Sequence, residues 1–335
     1  MFSCLFLHKD HKLIFPFINR YASVVIFCFY HRHLHNLYCL DSNEIEGNGA
    51  QSMSTLRVIC WNIEHGNAAY INTPIDKHIN IDLGSSSYFS PMQFLKESFN
   101  VQRLDEVIVT HPHADHLSDI HNFNILSPRV FSRPRHLTEE EIRKANRTED
   151  RAVIDKYIEI HNRYSVPVKK EDNPELAENN GGVSFHTFKD ALTSKDNINN
   201  HGLVTIVEYL GCKILFPGDI EPAAWRSLLE KQDFLSAITG VDILIASHHG
   251  RESGVYSDIF QYFTPKLTVI SDGRFVDTSA TSRYSEKSSG WTIHHRDKSK
   301  ASEKRNCVTT RNDGHIDIEI GKNDNGKTYI SVTVD

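Results

Sequence analysis

Residues 106–120 read EVIVTHPHADHLSDI, so the apolar run Val107-Ile108-Val109 is followed almost at once by His111, His113, Asp115 and His116. Imidazole nitrogens and carboxylate oxygens are the donor types that suit zinc and its neighbours. Crowded behind a buried strand, they read as a metal-binding loop. Two later segments end in the same manner. CKILF leads into Pro217-Gly218-Asp219, and VDILIA into Ser247-His248-His249-Gly250. Buried strands are rigid, so residues at their ends are well supported. If those ends gather at one edge, distant segments become ligands of one site.

The elements that must position them are legible as short apolar runs between polar turns. LRVIC, AAYI and HINIDLG read as strands, the last ending in Asp82-Leu83-Gly84, and MQFLKESF reads as a helix. Residues 138–163 read as helical, with Thr138 and Glu141 in capping-box spacing. LVTIVEYL and CKILF form a hairpin about Gly211, EPAAWRSLLEKQDFLSAI a helix, and KLTVI another strand. HIDIEI and YISVTV alternate around an Asn-Gly loop, which predicts a second hairpin. Strands and helices in this order suggest a layered α/β domain.

Composition narrows the class. The chain has 335 residues, of which 39% are hydrophobic and 24% charged, as expected of a globular fold with a sizeable core. A net charge of −6 offers no global positive field for nucleic acid, so any such contact needs a local patch. The candidate is 283–305, where seven Lys or Arg face three acidic residues and Trp291 is available to stack on a base. Six cysteines without CxxC spacing argue against a disulfide framework and for a reducing, cytoplasmic compartment. Residues 1–52 differ from the rest: rich in Phe, Tyr, His and Cys, with no membrane-length apolar run. They are expected to be an extension outside the working fold, disordered or preceding a native start at Met53, with the domain spanning 53–335.

The motif H-x-H-x-D-H after a strand, with the earlier IDLG and the later FPGD and SHHG, resembles the metallo-β-lactamase-fold hydrolases. The likeness is nearest to the soluble C-terminal domain of ComEC-type DNA-uptake proteins. It includes NIEHGNA at 62–68, NNHGLVTIVEYLGCKILFPGDIEP, DILIASHHGRESG, PKLTVISDG and TTRNDGHIDI. The resemblance implies an αββα sandwich of two mixed sheets flanked by helices, with the metal site at the sheet edge. It implies two zinc ions, with manganese as the alternative. His111 and His113 would hold the first ion, Asp115, His116 and His248 the second, and Asp219 would bridge them. Asp82 would orient ligands from behind. The superfamily has one more ligand before the bridging aspartate; the candidates are Asn199, Asn200 and His201, and His201 is chosen on ligand chemistry. Residues 131–182 look like a helical insertion, a lid or a surface for a protein partner.

The expected activity is phosphodiester hydrolysis, as a phosphodiesterase or nuclease using a dizinc-bound hydroxide. Asp115 would accept a proton, and His249 would polarise the substrate or protonate the leaving group. Two alternatives stand beside it. One is a hydrolase of small esters, lactones or amides; the other is a metal-stabilised interaction module of a multi-component bacterial system.

Overall fold

The computed structural model describes residues 54–190, 192–273 and 279–335; the expectation for residues 1–52 lies outside them. The first half of the domain contains β1 (Leu56–Cys60), β2 (Ala69–Asn72), β3 (His78–Ile81), α1 (Pro91–Glu97), β4 (Glu106–Ile108) and β5 (Val130–Ser132). After these come α2 (Glu139–Ala145), α3 (Arg151–Arg163), β6 (Ser184–Lys189), β7 (Leu203–Tyr209) and β8 (Cys212–Phe216). Next are α4 (Pro222–Leu229), α5 (Gln232–Ile238), β9 (Ile243–Ile245), β10 (Leu267–Ile270) and α6 (Thr281–Lys287). The chain closes with β11 (Trp291–His295), β12 (Glu303–Arg305), β13 (Cys307–Thr309), α7 (Thr310–Asp313), β14 (Ile316–Lys322) and β15 (Thr328–Val334).

Two sheets result. The larger runs β12-β11-β15-β14-β1-β2-β3-β4-β5 and the smaller β13-β10-β9-β8-β7-β6. Both are mixed: β3, β4 and β5 are mutually parallel, as are β8, β9 and β10, while hairpins such as β7–β8 and β14–β15 are antiparallel. Alternation decides which side chains enter the space between them. In β14, Ile316, Ile318 and Ile320 face that space with Val58, Ile71 and Ile81, and meet Val207, Ile214 and Val269 of the other sheet. Each such side chain contributes roughly 1.5–3 kcal/mol by leaving water. Ile318→Ala would open a cavity in this layer at a cost of about 2–5 kcal/mol.

The outer faces are covered by helices. Leu215, Leu244 and Ile270 point away from the first core into a second one with Trp225 and Leu228 of α4 and Phe234 and Ile238 of α5. On the opposite side, Phe94 of α1 meets the Trp61 ring edge-on at 5.5 Å. Helix α1 starts where Ser90 accepts the Gln93 N–H and Pro91 occupies the first turn. Asp119 accepts from the Ser90 hydroxyl and the Met92 N–H, tying α1 to the segment just after His116. The result is the αββα sandwich implied by the resemblance.

Two stretches read as single helices are broken. In 138–163 the Thr138–Glu141 capping box forms, but the helix stops at Asn146, which is extended (φ −109, ψ 154), and α3 begins afresh. The stretch 221–238 divides at Lys231, also extended. Segment 131–182 opens with the last two residues of β5, which pair with β4, so the sheet continues into it before the helices start.

Candidate metal centre

Because β3 and β4 are parallel, as are β8 and β9, the residues following each pair leave from one edge. The edges are joined across the sandwich by a hydrogen bond of 2.8 Å from the Leu203 N–H to the Thr110 carbonyl. There one donor atom each from Asp115, His116, Asp219 and His249 lie within 4.8 Å of one another. His116 Nε2 is 3.3 Å from Asp219 Oδ1 and 3.2 Å from His249 Nε2. His249 Nε2 is also 3.2 Å from Asp219 Oδ2 and 3.3 Å from Asp115 Oδ2.

The back sides of both rings are held by acceptors. His116 Nδ1 lies 2.7 Å from Asp82 Oδ2, and His249 Nδ1 lies 3.0 Å from the Ser271 carbonyl. A carboxylate and a carbonyl only accept, so the protons sit on Nδ1 and each Nε2 presents its lone pair to the cluster. Asp82 is itself fixed by the Thr110 N–H at 2.7 Å and by Asn67 Nδ2 at 2.9 Å. Two Nε2 atoms 3.2 Å apart and walled by two carboxylates call for positive charge at this point, supplied by protons on the rings or by a metal ion. The electrostatics agree. Burial disfavours charge on His116, but Asp219, Asp82 and Asp115 outweigh it and hold the imidazole well above its ordinary range. His249 is pushed up to about 9, with burial again outweighed, chiefly by Asp219. A field that would keep a proton on buried imidazole also attracts a metal ion.

Further imidazoles stand beside this cluster, the His111 ring packing on that of His116 at 4.2 Å. His111 Nε2 is 3.9 Å from Asp219 Oδ2 and 3.0 Å from His113 Nδ1. Burial, followed by the charge of His116, pushes His111 well below the ordinary imidazole range, which favours the neutral, ligating form. His201 is fully buried; its Nδ1 lies 3.0 Å from His136 Nε2, while its Nε2 has no hydrogen-bond partner. A buried imidazole nitrogen without a partner is costly unless something outside the protein supplies one. The donor set therefore suits one or two divalent ions.

The family model described as "Metallo-beta-lactamase superfamily" matches residues 63–271, which span the loop at 111–116, Asp219 and His249. The chain belongs to the metallo-β-lactamase superfamily. It is thus a metallo-β-lactamase-fold hydrolase. It is 23% identical over 182 residues to ComE operon protein 3 of Bacillus subtilis, a match covering 52% of this chain and 20% of that protein. Among solved structures it is similar to a Parabacteroides distasonis protein described as a metal-dependent hydrolase (14% identity, TM-score 0.36, covering 64% of this chain and 81% of that one). It is also similar to a long-form RNase Z from yeast (14% identity, TM-score 0.33, covering 74% and 43%).

Of the two adjacent histidines at the end of β9, the second is the one whose donor atom lies in the cluster. His248 was expected as the ligand and His249 as the catalyst, but His249 enters the four-residue cluster. His248 lies beside it, with Nε2 3.8 Å from Asp219 Oδ2 and Nδ1 2.8 Å from Ser253 Oγ. The cause is local. Both residues adopt left-handed backbone angles, φ 51 and 55, which rotate the first ring outward and the second inward.

Other contributors carried no motif. Asn146, at the break after α2, donates to the Pro112 carbonyl at 2.8 Å and accepts the Ala114 N–H at 3.1 Å, so segment 131–182 braces the loop at 111–116. His65 Nε2 is 3.2 Å from Asp115 Oδ2 at the mouth of the site. His136 supports His201, as noted. Asn67 lay within the quoted NIEHGNA stretch, which was the available signal; for Asn146 there was none.

Of the basic stretch 283–305, Arg283 on α6 stays near this edge through Glu252, three residues after His249, and the later strands lie away from it. Strands β11 and β12 form the far margin of the larger sheet, with β11 separated from β4 by β15, β14, β1, β2 and β3, about 29 Å along the sheet. Arg283 pairs with Glu252, Arg296 with Asp335 and Arg305 with Asp313. Trp291 donates its indole N–H to the Ile330 carbonyl at 3.2 Å and packs against the sheet. No helix among the described residues is long and apolar enough to cross a membrane.

Proposed function

We propose that this chain is a metal-dependent phosphodiesterase or nuclease with a two-ion centre. The observation that carries the reading is the position of Asp219. Its Oδ1 faces His116, and its Oδ2 faces His249 with His111 and His248 further out, so imidazoles surround both oxygens. That is the environment of a bridging carboxylate. Paired ions are the arrangement that clamps the attacking and leaving oxygens of phosphoryl transfer. The likeness to ComEC-type proteins of DNA uptake points to the same substrate class.

In this reading Asp115, His116, Asp219 and His249 hold one ion, and His111, His113, His201 and Asp219 the other, with zinc the expected metal and manganese the alternative. What such ions supply when bound is Lewis-acid polarisation of a phosphoryl oxygen and acidification of water. The chain's own groups do the rest. Asp82 and the Ser271 carbonyl fix ring orientation, which keeps both Nε2 atoms aimed inward. Asp115 is only partly covered. His116, His249 and His65 overcome its burial and keep it ionised, which suits it to hold a cation and to accept hydrogen bonds from water there. His65, more exposed than His249 and in contact with Asp115, is the better placed of the two to protonate a leaving group. A cytoplasmic setting fits Cys60 and Cys307, buried as free thiols.

The test is a substrate panel on metal-loaded protein: single- and double-stranded DNA, RNA, cyclic nucleotides and a chromogenic phosphodiester, with and without chelator. Chelator-sensitive phosphodiester cleavage is expected. Turnover of lactones or thioesters with every phosphodiester left intact would overturn it.

A further inference from the structure

Away from the metal centre, a cavity of about 580 Å³ opens between β5 and β6, the last strands of the two sheets, and is crossed by the segment after α3. Its volume lies in the range that accepts small organic ligands. At its inner end is Glu106, the first residue of β4, which shares the inward face with Ile108. Glu106 is 2% exposed; its Oε1 accepts from Ser132 Oγ, while Oε2 is buried without a partner. A buried carboxylate oxygen with nothing to accept from is costly unless a ligand supplies a donor. Burial pushes its carboxyl up to about 7, the Ser132 bond only partly opposing, so ionisation near neutrality is within reach of a donor-bearing ligand.

The walls are aromatic: Phe131, Tyr164, Phe185 and Phe188. At the rim stand Arg135 and Lys189, both exposed, with no ion pair or side-chain hydrogen bond among the described residues. The inner end thus accepts hydrogen bonds, the middle offers flat apolar faces, and the mouth is cationic. That sequence of environments matches the base, the ring faces and the phosphate of a nucleotide. Once ionised, the carboxylate only accepts, with Oε2 free and a second lone pair left on Oε1 beside the Ser132 bond, so it suits a base edge with two adjacent N–H donors, as guanine has. Adenine's corresponding edge pairs a donor with an acceptor. We infer that this cavity binds a guanine nucleoside monophosphate, with the base edge on Glu106 and the phosphate between Arg135 and Lys189. Glu106 is five residues before His111, which bounds their Cα separation at about 18 Å. A nucleotide held there lies within reach of the centre as a terminal residue of a longer substrate. That role, and the choice of a nucleotide, rest on the phosphodiesterase reading; binding itself is measured separately from turnover.

Isothermal titration calorimetry of the metal-loaded full chain with GMP, AMP, guanosine and inorganic phosphate tests this. GMP is expected to bind at least about tenfold more tightly than AMP or phosphate. Glu106→Gln, which preserves size, should weaken GMP about tenfold and erase the preference over AMP, with the melting temperature not lowered. Arg135→Ala with Lys189→Ala should weaken GMP and leave guanosine unchanged. Equal affinity for GMP, AMP and phosphate would overturn the proposal, as would an unaltered GMP affinity in Glu106→Gln or no GMP binding at about 1 mM. None of these results depends on phosphodiester cleavage, so failure of one reading is distinguishable from failure of the other.

Discussion

Asp82 and His116, 34 residues apart, meet at 2.7 Å between Oδ2 and Nδ1, with both side chains fully buried. The aspartate is reached from β3 and the histidine from the loop after β4, so the parallel pairing of those strands creates the contact. It decides which nitrogen of His116 faces the cluster. Asp82→Asn keeps the size but offers a donor or a weaker acceptor in place of the carboxylate. Metal affinity is expected to fall about 10–100-fold with the fold intact, measured by competition with a chromophoric chelator.

The unequal placement of His248 and His249 predicts unequal losses. His249→Ala removes a ring that contacts Asp115, His116 and Asp219, whereas His248 is anchored on Ser253 at the edge. His249→Ala should lower metal affinity by more than about 100-fold, and His248→Ala by less than about tenfold. Titration of the two variants with zinc ranks them; the reverse order would return the ligand to His248.

Backbone space around the loop at 62–68 is just as discriminating. Gly66 has φ +122, and a Cβ there would lie 2.2 Å from the Asp115 carbonyl oxygen. Gly211 also has positive φ, +78, but has nothing within 4 Å. Gly66→Ala should therefore displace Asp115, costing about 2 kcal/mol or more of stability together with metal affinity. Gly211→Ala should cost about 1 kcal/mol and leave metal affinity unchanged. Urea unfolding and zinc titration of both variants make the comparison.

Acid stability has a specific source outside the site. His315 is buried against Trp61 and accepts the Asn62 N–H at 2.9 Å through Nδ1. Burial depresses it from 6.5 to about 4, with Asp335 pulling upward and Arg296 down. The unfolded chain takes up a proton near pH 6.5 that the folded chain refuses until about pH 4. The contribution is therefore complete above pH 6.5, is lost as pH falls through that window, and amounts to about 3 kcal/mol. Urea unfolding of metal-free protein at pH 7 and pH 4.5 should show the loss. His315→Asn, which keeps an acceptor but does not titrate, should flatten it.

Much of the candidate site was legible because the residues the fold brings together lie at strand ends and several are contiguous. His111, His113, Asp115 and His116 occupy a short loop, and Asp219 follows a strand through a Pro-Gly turn. Those are local signals, and the alternation of β1, β7, β8 and β14 fixes the supporting layers in the same way. What escaped depends on torsions or distant contacts. The choice between His248 and His249 turns on two left-handed residues that no periodicity reveals. Asn146 sits in a stretch with helical spacing, and only its reach to Pro112 and Ala114 explains why the helix breaks there. The basic run at 283–305 is dense in charge along the sequence, yet three of its arginines are paired with acidic residues that only the fold brings to them: Glu252, Asp335 and Asp313.

The most direct measurement is metal stoichiometry. Full-length protein loaded with zinc or manganese and dialysed against metal-free buffer is analysed by inductively coupled plasma mass spectrometry, beside Asp219→Ala. Retention of about two ions per chain is expected, falling below one when the bridging carboxylate is removed. A wild-type chain that retains none, or an Asp219→Ala chain that retains as many, would contradict a centre built on Asp115, His116, Asp219 and His249.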